Sequence, residues 1–134
     1  MFGLNLKKKK TIAKKVLIVE DDALLARVLS ESFLKEKFEV LVVDNGLKVE
    51  DVVKTVSPDI ILLDLIIPGI DGFAVLKQLK ANDKTRKIPV AVLSNLGEVG
   101  DIKSTRALGA EEHFIKANTE MEKIVKYVKK RLNV

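Results

Sequence analysis

Five charged or hydroxyl side chains stand where short apolar runs end in this sequence, and together they could carry out chemistry on a phosphoryl group. They are Glu20, Asp21, Asp64, Ser94 and Lys116. A carboxylate can attack a phosphoryl group and form an acyl phosphate if the charge on the transferred oxygens is neutralised. A metal ion, an ammonium and a hydroxyl would provide that neutralisation, and Lys116 and Ser94 supply the last two.

The acidic residues also predict a divalent cation. Carboxylates gathered at one place raise one another's pKa and cost stability unless a cation lies among them. Mg²⁺ prefers oxygen ligands and keeps several waters, which suits Asp21, Asp64 and a backbone carbonyl just after Asp64. Zinc lacks its usual ligands, because the chain has no cysteine and a single histidine, His113. Three acids at 20–22 also disfavour a nucleotide or flavin phosphate site, which needs glycine-rich backbone donors.

Each of these residues alone has an ordinary alternative interpretation, since Asp and Ser are common helix N-caps and exposed loops accept any of them. The segment 64–72 is more specific. Asp64 is followed by a Pro-Gly turn at 68–69 and by an Asp-Gly helix start at 71–72, a layout that fixes the carboxylate at the end of its strand. The recurrence of polar residues at the ends of separate runs favours one shared site.

The elements that must position these residues follow from periodicity. Continuous runs rich in Val and Ile predict strands buried on both faces, as in a parallel sheet, at 16–19, 40–43, 60–63, 90–93 and 114–115. Apolar residues at helical spacing predict helices between them, over 23–35, 49–56, 73–79, 102–108 and 121–132. This alternation predicts a three-layer α/β domain, whose functional crevice lies at the carboxyl ends of the strands.

Length and charge narrow the class of protein. The chain has 134 residues, enough for one domain, and no linker or repeat marks a second domain, so output activity is expected to belong to a partner. The net charge of +5 comes from residues 1–15, which contain six lysines and no acid. We therefore expect a basic, disordered tail over 1–15 and a domain over 16–134. Without a signal peptide pattern or a long apolar stretch, a cytoplasmic protein is expected.

Several motifs resemble the receiver domain of bacterial two-component response regulators, over about residues 15–132. They are Val-Leu-Ile-Val-Glu-Asp-Asp at 16–22, Pro-Asp-Ile-Ile-Leu-Leu-Asp at 58–64, Pro68 with Asp71-Gly72, Leu-Ser at 93–94, and Gly-Ala ahead of Phe-Ile-Lys at 109–116. The resemblance implies a stand-alone receiver with a flavodoxin-like (βα)5 fold and strand order 2-1-3-4-5.

The same resemblance implies roles for individual residues. Asp64 corresponds to the phospho-acceptor, Glu20 and Asp21 to an acidic pair, Ser94 to a switch hydroxyl and Lys116 to the family's lysine. Mg²⁺, with Mn²⁺ as a substitute, is then expected to bind Asp21, Asp64 and the backbone carbonyl of Ile66 directly, and Glu20 through water. Asp22, one position past the pair, is expected to be a helix cap.

The resemblance further implies a signalling switch rather than a turnover enzyme. A histidine kinase or phosphotransfer protein donates the phosphoryl group, and the receiver catalyses its own phosphorylation and dephosphorylation. Ser94 then turns toward the phosphoryl group and His113 follows inward, which remodels the face made by the fourth helix, fifth strand and fifth helix for an unknown output protein. The fourth helix has low helix propensity, as a labile element would. No DNA-binding domain is visible in this chain, and a homodimer is one further possibility.

Five positions depart from the family's pattern. Ala117 follows the lysine where a proline with a cis peptide bond is usual, and the cost of a cis non-proline bond favours trans. Asn95 follows Ser94 where a small residue is common, so its amide could crowd the phosphoryl site or hydrogen-bond to it. Ile66 and Leu96 are apolar where polar side chains can orient the hydrolytic water, which predicts a long-lived phosphoryl state. His113 replaces Tyr or Phe, which allows pH-sensitive switching, although an ordinary half-exposed histidine is the favoured interpretation.

Three alternatives remain open. A degenerate receiver that binds partners without phosphorylation is suggested by Ala117 and Asn95. A phosphatase of the haloacid-dehalogenase type also uses an aspartyl nucleophile, but it requires a second Asp where Ile66 stands. Membrane or nucleic-acid contact is favoured only by the lysines of the tail.

Overall fold

Strands and helices alternate along residues 12–134, the part of the chain that the computed structural model describes. The strands are β1 (Lys15–Val19), β2 (Glu39–Val43), β3 (Ile60–Leu63), β4 (Val90–Ser94) and β5 (Glu112–Ile115). The helices are α1 (Ala23–Lys35), α2 (Gly46–Val56), α3 (Gly72–Ala81), α4 (Val99–Ala107) and α5 (Met121–Leu132). A short 3-10 helix, Lys116–Asn118, lies between β5 and α5 and was not predicted. The predicted basic tail falls mostly outside the described residues, and Lys15 already belongs to β1.

The five strands form one parallel sheet in the order β2-β1-β3-β4-β5, which confirms the predicted topology. The register decides which residues meet at its carboxyl edge. Val19, the last residue of β1, lies beside Leu63, the last of β3, so Glu20 and Asp64 leave the sheet at the same level. On the other side of β3, Ser94 at the end of β4 lies beside Ile115 of β5.

Helices cover both faces of the sheet, and strand residues alternate between the two cores. Leu17 and Val19 face a core formed with α2 and α3, whose helical members are Val49, Val53, Val75, Leu76 and Leu79. Val16 and Ile18 face the opposite core, formed with α1 and α5, whose helical members are Leu29, Phe33, Ile124 and Val128. The three central strands, β1, β3 and β4, are therefore buried on both sides, as their apolar sequences predict.

The two edge strands depart from the predicted burial, β2 most clearly, and Ile115 of β5 is also only partly buried. The sequence predicts that residues 40–43 are buried on both faces, but Val42 is 46% exposed and Val40 and Leu41 are only partly buried. The physical reason is that β2 forms one edge of the sheet, where an apolar run is covered less completely. The prediction of full burial was wrong for this strand.

Side-chain caps set the beginnings of the first three helices. Asp22 accepts hydrogen bonds from the backbone of Leu24 and Leu25, which confirms its expected role as the N-cap of α1. Asn45 and Asp71 cap α2 and α3 in the same way. Within residues 12–134 every helix is too short or too polar to cross a membrane.

Candidate functional site

Three carboxylates converge at the carboxyl edge of the sheet. Oxygens of Glu20, Asp21 and Asp64 lie within 4.8 Å of one another. The parallel register of β1 and β3 brings them together, because Glu20 and Asp64 each follow the last residue of neighbouring strands. Glu20 is 3% exposed and Asp64 5% exposed, whereas Asp21 is exposed. The cluster therefore has two buried members and one that faces solvent.

Lys116 completes this cluster from the other side of the sheet. Its Nζ lies 2.6 Å from Glu20 Oε1 and 2.7 Å from Asp64 Oδ2, so one ammonium pairs with both buried carboxylates. The residue follows directly after β5, and its side chain crosses the end of β4 to reach them. The structure thus brings together four of the predicted site residues: Glu20, Asp21, Asp64 and Lys116.

Burial and pairing set the protonation of this group. Burial raises the pKa of Glu20 above its ordinary value, and the negative charge of Asp64 adds to that rise; hydrogen bonds from Lys116 and from the Asp22 backbone oppose it. Burial alone would lower the pKa of Lys116, but its hydrogen bonds to Asp64 and Glu20 outweigh burial and raise that pKa. The lysine therefore stays an ammonium throughout the neutral range.

Backbone contacts orient the two buried carboxylates. Asp64 Oδ1 accepts a hydrogen bond from Ile66 N at 3.2 Å, and Glu20 Oε2 accepts one from Asp22 N at 3.1 Å. Gly72, at the start of α3, lets the following helix pack tightly here, because a Cβ would collide with the Asp64 carbonyl oxygen and lie 2.5 Å from Leu65 Cα. The Asp-Gly pair noted in the sequence thus has a steric cause.

Ser94 lies at the end of the neighbouring strand and is fully buried. Its Oγ accepts a hydrogen bond from Leu96 N at 3.3 Å, which bends the chain directly after β4. Asn95 is exposed, and its Oδ1 accepts from Ala117 N at 3.2 Å. Residues 12–134 contain no cis peptide bond, so the Lys116-Ala117 bond is trans, as the sequence favoured. The contact between Asn95 and Ala117 was not predicted.

His113 is not the half-exposed histidine that the sequence favoured. It is 8% exposed and bound on both ring nitrogens: Nε2 lies 2.6 Å from the Leu96 carbonyl oxygen and Nδ1 lies 2.9 Å from Thr105 Oγ1. Since a carbonyl oxygen only accepts, Nε2 carries a proton and donates it. The histidine therefore joins β5 to α4 and to the loop after β4. Thr105, its partner, was missed, because no pattern pairs a strand residue with a helix residue eight positions earlier.

The donor set of the acidic cluster fits a hard divalent cation. Three carboxylates face a single ammonium, so the cluster keeps an excess of negative charge and offers the oxygen ligands that Mg²⁺ prefers. Asp21 is exposed and leaves one side open to solvent, which suits an ion that keeps several waters. The direct ligation by the Ile66 carbonyl and the water-mediated role of Glu20 stay predictions.

Sequence comparison places these features in a known family. A family model described as "response regulator receiver domain" matches residues 16–129. Sporulation initiation phosphotransferase F of Bacillus subtilis is 38% identical over 119 residues, which cover 89% of this chain and 94% of that protein. DNA-binding response regulator MtrA of Mycobacterium tuberculosis is 30% identical over 106 residues, or 79% of this chain, and the chain spans only 45% of its length.

Structure comparison agrees with the sequence match. The receiver domain of a signal transduction histidine kinase from Syntrophus aciditrophicus is 28% identical, with a TM-score of 0.82 over 90% of this chain and 91% of that one. The Mn²⁺-bound form of response regulator Rcp1 is 26% identical, with a TM-score of 0.76 over 87% of this chain and 91% of that one. With the acidic cluster and Lys116 in place, this chain belongs to the response regulator receiver domains, the phosphoacceptors of two-component and phosphorelay pathways.

Proposed function

We propose that Asp64 accepts a phosphoryl group from a histidine kinase or a phosphotransfer protein, and that Lys116 and Ser94 assist the transfer. The observation that carries the proposal is the convergence of Lys116 with Asp64 and Glu20, at 2.7 and 2.6 Å. This arrangement holds a buried carboxylate beside a fixed positive charge, at the sheet edge where Ser94 also ends its strand. The degenerate alternative receives no support from the comparisons.

Several groups of this chain have separate roles in the proposed phosphoryl transfer. A carboxylate oxygen of Asp64 attacks phosphorus, the bond from phosphorus to the donor's imidazole nitrogen breaks, and an acyl phosphate forms. The hydrogen bond from Ile66 N holds the carboxylate in orientation, and the Lys116 ammonium stabilises charge that develops on the transferred oxygens. Ser94 would donate its O–H to a phosphoryl oxygen, and because its Oγ also accepts from Leu96 N, a rotation of this side chain would act on the loop after β4.

The divalent ion is part of this proposal. Asp21, Asp64 and the Ile66 carbonyl would bind Mg²⁺ directly, with Glu20 acting through water and Mn²⁺ as a substitute. Bound there, the ion supplies charge neutralisation for the transferred phosphoryl oxygens. The support from this chain is the carboxylate cluster itself, whose oxygens lie within 4.8 Å of one another.

The output of the switch is proposed to be the α4-β5-α5 face. α4 buries only Thr105 among its described residues, so few apolar contacts hold it against the sheet. His113 bonds both Thr105 and Leu96, so a movement of the loop after Ser94 would be transmitted to α4. An output protein that distinguishes the two arrangements would read the phosphorylation state. The proposed setting of these reactions is the cytoplasm.

The experiment that tests the acceptor is chemical mapping of the modified residue. We expect that borohydride reduction of the phosphorylated protein converts Asp64 to homoserine, which peptide mass spectrometry locates at position 64. The matched control is Asp71, an exposed aspartate in the following loop, which should stay unreduced. Homoserine at any other position, with Asp64 intact, would contradict the proposal.

A further inference from the structure

The loop that follows Ser94 and the turn that carries Lys116 are joined by one side chain. The ladder between β4 and β5 ends with Ser94 beside Ile115. Directly beyond that pair, Asn95 Oδ1 accepts a hydrogen bond from Ala117 N at 3.2 Å. The side chain thus extends the strand pairing by one step after the backbone ladder has stopped.

Two further contacts keep this loop against β5. The Leu96 carbonyl accepts from His113 Nε2 at 2.6 Å. Gly97 packs so closely on Ile115 that a Cβ there would lie 2.5 Å from its Cδ1. These contacts end at β5 itself, whereas the Asn95 contact reaches past the strand to the 3-10 turn. Asn95 is therefore well placed to fix the turn rather than the strand.

The position of the turn matters because it sets where Lys116 places its ammonium, at 2.6 and 2.7 Å from two buried carboxylates. A local hydrogen bond, from Thr119 Oγ1 to the Ile115 carbonyl at 2.8 Å, closes the turn on itself. The hydrogen bond from Ala117 N to Asn95 joins the turn to the residue that follows β4, and its donor is the residue directly after Lys116. This bond requires a residue other than proline at 117, because proline has no backbone N–H to donate.

We propose that Asn95 is a positioning residue for Lys116, acting with Ala117 as a pair: the Asn95 side chain holds the turn that aims the ammonium at Asp64. The inference deepens the proposed function and rests on it for the role of Lys116 in phosphoryl transfer. Asn95 stabilises the turn through the backbone of Ala117, so the two positions are coupled and the effect of one substitution depends on the other.

A double-mutant cycle tests the coupling. The rate of Asp64 phosphorylation by acetyl phosphate in saturating Mg²⁺ is compared for wild type, Asn95→Ala, Ala117→Pro and the double variant. We expect Asn95→Ala to lower the rate roughly threefold to tenfold, the effect of about one hydrogen bond, and to change it less than about 1.5-fold when residue 117 is proline. Asn118→Ala, an exposed asparagine of the same turn, is the control and should leave the rate unchanged. An equal loss in both backgrounds would overturn the pairing.

Two readouts separate positioning from general loosening of the fold. The Mg²⁺ dissociation constant should stay within about twofold of wild type in Asn95→Ala, because backbone hydrogen bonds from Ile66 N and Asp22 N also hold the carboxylates and do not involve the turn. Amide hydrogen exchange at Ala117 should speed up in Asn95→Ala and stay protected in Asn95→Asp, which keeps an acceptor oxygen at the same reach. Unchanged exchange at Ala117 in Asn95→Ala would refute the hydrogen bond between Asn95 and Ala117. The exchange measurement needs no phosphorylation. A wild type that accepts no phosphoryl group would therefore contradict the proposed function, while the exchange data still test whether Asn95 holds the turn.

Discussion

At the scale of single residues, the site is governed by the charge balance around Lys116. One ammonium pairs with Glu20 and Asp64, both nearly fully buried, and Asp21 adds a third carboxylate at the exposed side. A buried carboxylate without a partner costs several kcal/mol, so the lysine stabilises the fold, in addition to the role proposed for it in phosphoryl transfer. The remaining negative charge is what a divalent ion would neutralise.

Ile66 leads to a prediction about the lifetime of the phosphoryl group. It lies two residues past Asp64, is 58% exposed, and offers no group to orient an attacking water. We expect Ile66→Asn to speed hydrolysis of phospho-Asp64 roughly threefold to tenfold, the effect of about one hydrogen bond to the water. The decay of the label in Mg²⁺ measures this, with Ile66→Val as the apolar control. An unchanged lifetime in Ile66→Asn would be incompatible with this role.

Tyr127 provides a prediction about pH. Burial, together with the negative charges of Glu111 and Glu112, raises the pKa of Tyr127 to about 12. The neutral phenol is favoured in the folded state, so the stability that Tyr127 contributes is complete below its ordinary pKa and is lost as pH rises toward the folded value. Tyrosinate absorbance reports this residue alone, because the chain has one tyrosine and no tryptophan. We expect Glu111→Gln to lower the titration midpoint of Tyr127, because one of the nearby negative charges is removed. Titration of Tyr127 at its ordinary pKa in the folded protein would contradict the prediction.

At the scale of elements, helix caps and strand register bring the site residues together at the carboxyl edge of the sheet. α1 begins directly after the acidic pair because Asp22 caps it, with its Oδ1 3.0 Å from Leu24 N and 3.1 Å from Leu25 N. The three adjacent acids therefore have different tasks: Glu20 pairs with Lys116, Asp21 faces solvent beside Asp64, and Asp22 begins the helix.

The cap can be tested separately from the site. We expect Asp22→Ala to lower the free energy of unfolding by about 0.5–2 kcal/mol, because two helix amides lose their acceptor, while Asp22→Ser loses much less. Urea denaturation measures the change. Phosphorylation at Asp64 should require the same Mg²⁺ concentration in both variants as in wild type. A much higher Mg²⁺ requirement in Asp22→Ala would mean that Asp22 is a metal ligand rather than only a cap.

Most elements of the fold are predictable from periodicity. The predicted bounds of α1 and α5 agree with the structure, and β3 occupies the predicted residues. Burial of β2 was overestimated because an apolar run does not reveal whether its strand lies at an edge of the sheet. Leu108, counted with the fourth helix, is the residue that caps the end of α4, since a short helix with few apolar residues has a weak periodic signal.

The site was predictable in its members but not in its contacts. The chemistry of Asp64, Asp21, Glu20 and Lys116 is visible in the sequence because each stands where an apolar run ends. The bond between Asn95 and Ala117 depends on where two loops lie after the ladder ends, and no local pattern specifies that. The burial of His113 likewise depends on how α4 packs beside β5.

At the scale of the whole molecule, α4 is held less firmly than the other four helices. α1 and α5 contribute large buried side chains to one core, and α2 and α3 to the other, whereas α4 buries only Thr105. Local stability should therefore be lowest at α4, next to the loop that follows Ser94. The site thus lies beside the element that is easiest to move.

Metal binding should change the stability of the whole domain. A ligand that binds only the folded state adds about 2.7 kcal/mol to the free energy of unfolding at a hundredfold excess over its dissociation constant. We expect Mg²⁺ to raise the melting temperature of wild type. Asp21→Asn should raise the stability of the metal-free protein, because carboxylate repulsion is relieved, and should reduce the gain from Mg²⁺.

The matched control for this prediction is Asp51→Asn, an exposed aspartate on α2 outside the cluster. It should leave the gain from Mg²⁺ unchanged. A gain from Mg²⁺ in Asp21→Asn equal to that of wild type would show that the ion binds elsewhere.

The most direct test of a metal-dependent phospho-acceptor at Asp64 is the mass of the intact protein after incubation with acetyl phosphate. Wild type and Asp64→Asn are compared with and without Mg²⁺. We predict the addition of one phosphoryl group to wild type in Mg²⁺ only, and none to Asp64→Asn under either condition. A folded wild type that gains no mass in Mg²⁺, or an Asp64→Asn variant that gains as much as wild type, would contradict the assignment of Asp64.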